Sequence, residues 1–187
     1  MNSPILRKIS VAAALSVLFT IIFGFVSSRY HQPWTALYVT SLTTAYHFIM
    51  RLILGEATEK ICSTLKLNPN SLGFRIRPYE AELYKALRVK RWKKSAMTVK
   101  PEKFDLRSNS MEDVLHNMMQ AELGHRIIMI LSFVPLLLII PYGAWVVFLV
   151  TSIVACLIDL KYVIIQRYNR IRVQRIISKR QVYTKCM

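Results

Sequence analysis

The chain has 187 residues, 53% of them hydrophobic, and carries a formal net charge of +16. Its apolar runs reach spanning length, which a soluble domain of this size does not need, and the placement of the charges reconciles hydrophobicity with basicity. Cys62, Cys156 and Cys186 lie far apart without metal-ligand spacing; they read as reduced thiols rather than a disulfide framework, with Cys156 as helix packing.

Arg7 and Lys8 precede an apolar stretch, Ile9 to Val26, long enough to cross a bilayer at about 1.5 Å per residue. A cleaved signal peptide is the rival reading. The run is long for such a peptide, and Val26-Ser27-Ser28 is a poor small-x-small cleavage site. An uncleaved anchor over about 9–28 is therefore expected. After a turn at Arg29–Pro33, residues 34–54 form a second, more polar span. Thr40, Thr44, His47 and Arg51 fall on one stripe. Two readings are open: interhelical hydrogen bonds with an arginine reaching for the interface, or the wall of a polar substrate site.

Residues 55–126 are polar and basic, with Asn68-Pro69-Asn70-Ser71 as the clearest break. Pro78 can open a short helix, with Glu80 and Glu82 in its first turn and Lys85 and Arg88 in its last, the order the helix dipole favours. Tyr79, Leu83 and Leu87 are spaced for one apolar face. Next come Arg88, Lys90, Arg91, Lys93 and Lys94, five cations around Trp92. Such a run suits anionic headgroups, and the aromatics and nearby spans favour lipid over nucleic acid. Phosphate groups of a soluble donor are a third candidate. Ser110, with Asp113 three residues on, marks a helix start. Met118, Glu122, His125 and Met129 then line one stripe, and Gly124 permits close approach of a neighbouring helix.

Two further spans are expected at 127–140 and 144–165, separated by Pro141-Tyr142-Gly143. His125 and Asp159 each stand 17 residues from Tyr142. An antiparallel hairpin would set them side by side, within about one helical turn. The N-terminus, the loop 55–126 and a basic tail 166–187 fall on one side, which the positive-inside rule makes cytoplasmic; Lys161 can reach the same side. The expectation is an all-α integral membrane protein: one membrane domain of about four transmembrane helices, with a basic cytoplasmic loop containing interfacial helices, in a cell membrane.

Glu122-x-x-His125 is half of a di-iron carboxylate motif, and no second copy exists. No His-Glu-x-x-His, Walker loop, Gly-x-Gly-x-x-Gly or Gly-x-Ser-x-Gly occurs. Neither a metal site nor a cofactor is expected. A histidine with one or two carboxylates can instead be a general base for a hydroxyl; the bland reading is an Asp–His hydrogen bond that satisfies two polar groups in the bilayer.

Three blocks carry a resemblance: Val89-Lys90-Arg91-Trp92-Lys93, Gln120-Ala121-Glu122-Leu123-Gly124-His125, and Val163-Ile164-Ile165-Gln166-Arg167-Tyr168-Asn169-Arg170. Over roughly residues 87–172 the chain resembles the glycosyl-diaponeurosporenoate acyltransferases, small bacterial membrane proteins assigned the last step of staphyloxanthin-type carotenoid synthesis. That step esterifies a sugar hydroxyl of a glycosylated carotenoid with a fatty acyl chain. One departure is visible: the family's Asn-Arg-Pro-Arg is Asn169-Arg170-Ile171-Arg172 here. Without the proline the helix need not stop, and Ile171, Arg175 and Ile176 can continue it along the interface.

The resemblance implies a membrane O-acyltransferase. Its donor would be a thioester such as acyl-CoA or acyl carrier protein. Its acceptor would be a glycosylated carotenoid, another isoprenoid or a glycolipid. His125 would be the base, oriented by Asp159 or Glu122. Gln166, Arg167, Tyr168, Asn169 and Arg170 would bind substrate, the arginines and Asn169 at donor phosphates or the oxyanion. Arg88, Lys90, Arg91, Trp92 and Lys93 would hold donor or anionic lipid. Apart from the resemblance, the expected topology brings His47 and Arg51 to the same depth as further substrate-binding candidates. No His-x-x-x-x-Asp box, frequent in membrane acyltransferases, is present. The alternative is a non-catalytic four-helix scaffold or lipid-binding subunit.

Overall fold

The computed structural model describes residues 3–30, 34–96 and 98–185. Most of the expected Arg29–Pro33 turn and Cys186 lie outside the described residues. All regular structure among those residues is helical: α1 (Pro4–Tyr30), α2 (Trp34–Thr64), α3 (Glu80–Ala86), α4 (Val89–Trp92), α5 (Met111–Leu131), α6 (Ile139–Tyr142) and α7 (Trp145–Lys185), with short 3-10 turns between some of them. Four stretches are long and apolar enough to cross a membrane: Pro4–Tyr30, Trp34–Thr64, Met111–Tyr142 and Trp145–Arg180. The all-helical membrane protein expected from the sequence is what the chain forms.

Two compact units divide the chain. The first comprises Met1–Ala57 and Arg126–Asp159. Its outward side chains are apolar, including Leu18, Phe19, Ile21 and Phe25 on α1 and Val146, Val150 and Ile153 on α7. An exposed apolar surface of that extent suits lipid rather than water. Inside, small and hydroxylated residues dominate: Thr43, Ser132 and Ser152 are fully buried with Val39 and Phe148. Small contacts let helix backbones approach where no hydrophobic effect drives them together. Gly24 is one such contact, because a Cβ there would stand 3.1 Å from the Tyr38 ring. Ser132 and Pro135 interrupt the third stretch: after Leu131 the chain turns, and residues Val134–Leu138 follow in 3-10 form. Gly143, at φ 64°, then ends α6 in the left-handed conformation that glycine adopts most cheaply.

Thr58–His125 and Leu160–Met187 form the second unit. Ser110 caps α5 as its sequence suggests: Asp113 N–H donates to Ser110 Oγ at 3.0 Å, and Ser110 Oγ–H donates to Asp113 Oδ2 at 2.7 Å. Gly124 lets α5 approach α2, where a Cβ would meet Thr58 Oγ1 at 3.2 Å. Residues 166–185, expected as a tail, continue α7 without a break through Ile171. That extension forms the unit's core. Ile171 packs with Tyr84 and Val89, and Val173 packs with Val114 and Met118. Ile176 is exposed.

The short helix after Pro78 forms, beginning at Glu80, but its buried face is Glu80 and Tyr84. Tyr79, Leu83 and Leu87, the stripe spaced for an apolar face, are exposed. Charge pairing therefore outweighs apolar periodicity in deciding which way this helix turns.

Candidate functional site: a buried arginine–carboxylate cluster beside His125

Arg167 of α7 organises the second unit. Its Nε donates to Glu80 Oε2 at 2.9 Å and its Nη2 to Glu80 Oε1 at 2.5 Å, a bidentate fork. Nη1 donates to Glu122 Oε1 at 2.7 Å, and the two terminal nitrogens also reach the carbonyls of Gly73 and Arg75. Arg170, one turn on, pairs with Glu122 Oε2 at 3.1 Å and lies with its guanidinium carbon 5.6 Å from the centre of the Phe74 ring. Glu122 and Arg170 have no exposed surface. One carboxylate of α5 and one of α3 are thus tied to two arginines on one face of α7.

Glu80 is further held by the Arg77 backbone N–H and the Tyr84 hydroxyl, at 2.8 and 2.9 Å. Burial alone would raise its carboxyl pKa, but the bonds from Arg167, Arg77 and Tyr84 prevail and hold it below the usual range. Burial, then the bond to Glu80, pushes the Tyr84 hydroxyl up to about 12.

His125 is half-buried one turn beyond Glu122. Its ring stacks on Tyr162 of α7, centroids 4.8 Å apart and planes 10° from parallel. The stack fixes the imidazole plane. Glu122, meanwhile, is engaged by arginines that hold this part of α5 to α7.

The remaining candidates of this unit lie on α7 and on the segment after α3. Gln166 and Tyr168 are half-buried, and Tyr168 meets Tyr84 edge-on at 6.4 Å. Arg88, Lys90 and Arg91 are exposed; Arg88 takes a left-handed conformation, φ 51°, at the junction of α3 and α4. Trp92 Nε1 donates to the Leu87 carbonyl at 2.9 Å, closing that junction. Lys93 Nζ donates to Asn169 Oδ1 at 2.7 Å.

His47, Arg51 and Asp159 belong to the first unit. Arg51 pairs with Asp159 at 2.5 Å and donates to the carbonyls of Ala155 and His47 at 3.2 and 3.0 Å. His47 is buried edge-on to Tyr46, and neither ring nitrogen has a hydrogen-bond partner among the described residues. The stripe on α2 therefore reaches a carboxylate on α7.

Glu80, Tyr84 and Tyr162 are the residues that reading the sequence did not single out for the site. A usable signal existed: only 10 acidic residues stand against 26 basic ones, so each acid at a helix start is worth matching to an arginine. Among the described residues no three His, Cys, Asp or Glu side chains converge as a metal site requires.

A family model described as glycosyl-4,4'-diaponeurosporenoate acyltransferase matches residues 70–179, more than half of the chain. No protein of curated function and no solved structure matches. The matched segment contains His125 and every side chain of the arginine–carboxylate cluster. The chain belongs to the glycosyl-4,4'-diaponeurosporenoate acyltransferase family, and is an acyltransferase by that membership.

Proposed function

We propose that the protein transfers a fatty acyl group from a thioester donor, acyl-CoA or acyl carrier protein, to a sugar hydroxyl of a glycosylated carotenoid, another isoprenoid or a related glycolipid in a bacterial cell membrane. The carrying observation is the family match over residues 70–179, which brackets His125 together with the cluster that fixes its helix. Imidazole is the side chain suited to taking a hydroxyl proton near neutrality.

In this reading His125 accepts the proton as the acceptor oxygen attacks the thioester carbonyl carbon. The C–O bond forms, the C–S bond breaks, and the imidazolium returns its proton to the departing thiolate. Tyr162 holds the ring plane. Glu122 acts as a positioning residue, because its carboxylate is taken up by Arg167 and Arg170. Arg167 is structural here rather than donor-binding: its Nε and both terminal nitrogens already face carboxylates or carbonyls. Within the first unit, Arg51 and Asp159 satisfy each other across two spanning helices, which supports the interhelical reading of the His47–Arg51 stripe. The N- and C-termini and the basic segment 55–126 face the cytoplasm, where the thioester is made.

The test is a comparison of membrane lipids from cells with and without the protein, after labelling with an isotopic fatty acid. A base-labile ester of a glycosylated lipid should appear only with the protein. An identical ester profile in both strains would contradict the reading.

A further inference from the structure

The cation run 88–94 is not a uniform solvated face. Lys93 folds onto α7: besides the bond to Asn169, its ammonium stands 4.8 Å from the centre of the Tyr168 ring, and it is half-buried while Lys90 and Arg91 are exposed. Asn169 and Arg172 are three residues apart on α7, so they are neighbours on its surface. Lys90 and Lys93 are likewise three apart, across α4 and its C-cap. Among the described residues no carboxylate forms an ion pair with Lys90, Lys93 or Arg172. This contrasts with Arg167 and Arg170, which stand two residues before Asn169 and Arg172 on α7 and are bound to Glu80 and Glu122.

The crowding is electrostatically unfavourable as it stands. Burial, then the charges of Arg172 and Lys90, lowers the Lys93 ammonium from its ordinary range. Lys93 is anchored by a neutral amide and a ring, which position the cation without neutralising it. The Lys93 ammonium held this way, with exposed Lys90 and Arg172 near it, complements the anionic oxygens of a phosphate group.

We infer that Lys90, Lys93 and Arg172, with the Asn169 amide, form a binding site for a phosphate group. The inference rests on the acyl-transfer reading only for the source of that phosphate, either the phosphate-bearing carrier of a thioester donor or a phospholipid headgroup. Phosphate binding is measured without turnover, so failure of the site and failure of that reading are distinguishable.

The full chain in nanodiscs is the material, titrated with coenzyme A in phosphatidylcholine and, separately, assayed for phosphatidylglycerol retention by native mass spectrometry. Lys93→Gln and Arg172→Gln should each weaken the phosphate ligand by about tenfold to a hundredfold, the range for a charge-assisted bond. Lys66→Gln, which removes an exposed cation elsewhere, should change it less than about threefold. Asn169→Asp should abolish binding with the thermal midpoint retained, because it gives Lys93 a carboxylate of its own. Loss of coenzyme A binding identifies the donor as the source; loss of phosphatidylglycerol retention alone identifies lipid. Wild-type protein that binds neither probe, or variants that bind both as wild type does, would overturn the site.

Discussion

At the scale of single residues, the Glu80–Arg167–Glu122 cluster makes the most stringent claims. Removing one member of a buried pair strands the other, at a cost of about 3–5 kcal/mol. Glu80→Gln should therefore lower the thermal midpoint in detergent. Arg167→Lys should do the same, since an ammonium cannot reproduce a bidentate fork. The pH dependence follows from the lowered Glu80 carboxyl. A depressed folded-state pKa stabilises the fold above the unfolded value, about 4.3, and that contribution fades as pH falls through the folded value. Wild-type protein should lose stability on acidification through this window, and Glu80→Gln should be flatter across it. Melts that fall equally in both proteins would contradict the assignment. The Arg51–Asp159 pair allows a parallel experiment in the first unit. Arg51→Met or Asp159→Leu alone should be worse than the two together, because only the single changes leave an unpaired charge in the span.

At the scale of elements, α7 supplies apolar outward side chains to the first unit and core residues to the second. The isoleucine at position 171, where the family pattern has proline, keeps it whole. Ile171→Pro should cost about 3 kcal/mol or more, through the lost hydrogen bond and the ring clash. Ile171→Val should cost only about 0.5–1.5 kcal/mol. Thermal melts with limited proteolysis around residue 171 will separate the two; equal melts would mean the helix is not required there. Local signals made much of this legible. Apolar run length gave the four spans, Ser110 with Asp113 gave the start of α5, Gly124 gave a close approach, and the absent proline gave the continuity of α7. Long-range charge pairing was not legible. Glu80 at the start of α3 looks like an ordinary dipole-favoured acid, and its partner lies 87 residues further on. The same blindness misassigned the buried face of α3, because an apolar stripe has a period and an ion pair does not.

On the scale of the whole molecule, charge placement predicts both termini and the segment 55–126 on the cytoplasmic side. After replacement of the native cysteines, an impermeant thiol reagent on intact cells should label a cysteine introduced at Tyr142. It should spare cysteines introduced at Asn70 or Ser108. Labelling at Ser108 would reverse the orientation and remove the cytoplasmic thioester from reach. The central claim is narrower, that His125 is the base for acyl transfer. His125→Gln keeps a polar side chain of similar reach but has no imidazole to take the proton, and loss of a general base slows reaction by about 100- to 10,000-fold. The decisive measurement is the rate of ester formation by wild-type and His125→Gln protein at matched membrane levels, with labelled thioester and glycolipid. The variant is expected to accumulate normally and form almost no ester. Near-normal ester formation by His125→Gln would contradict a general-base role for this residue.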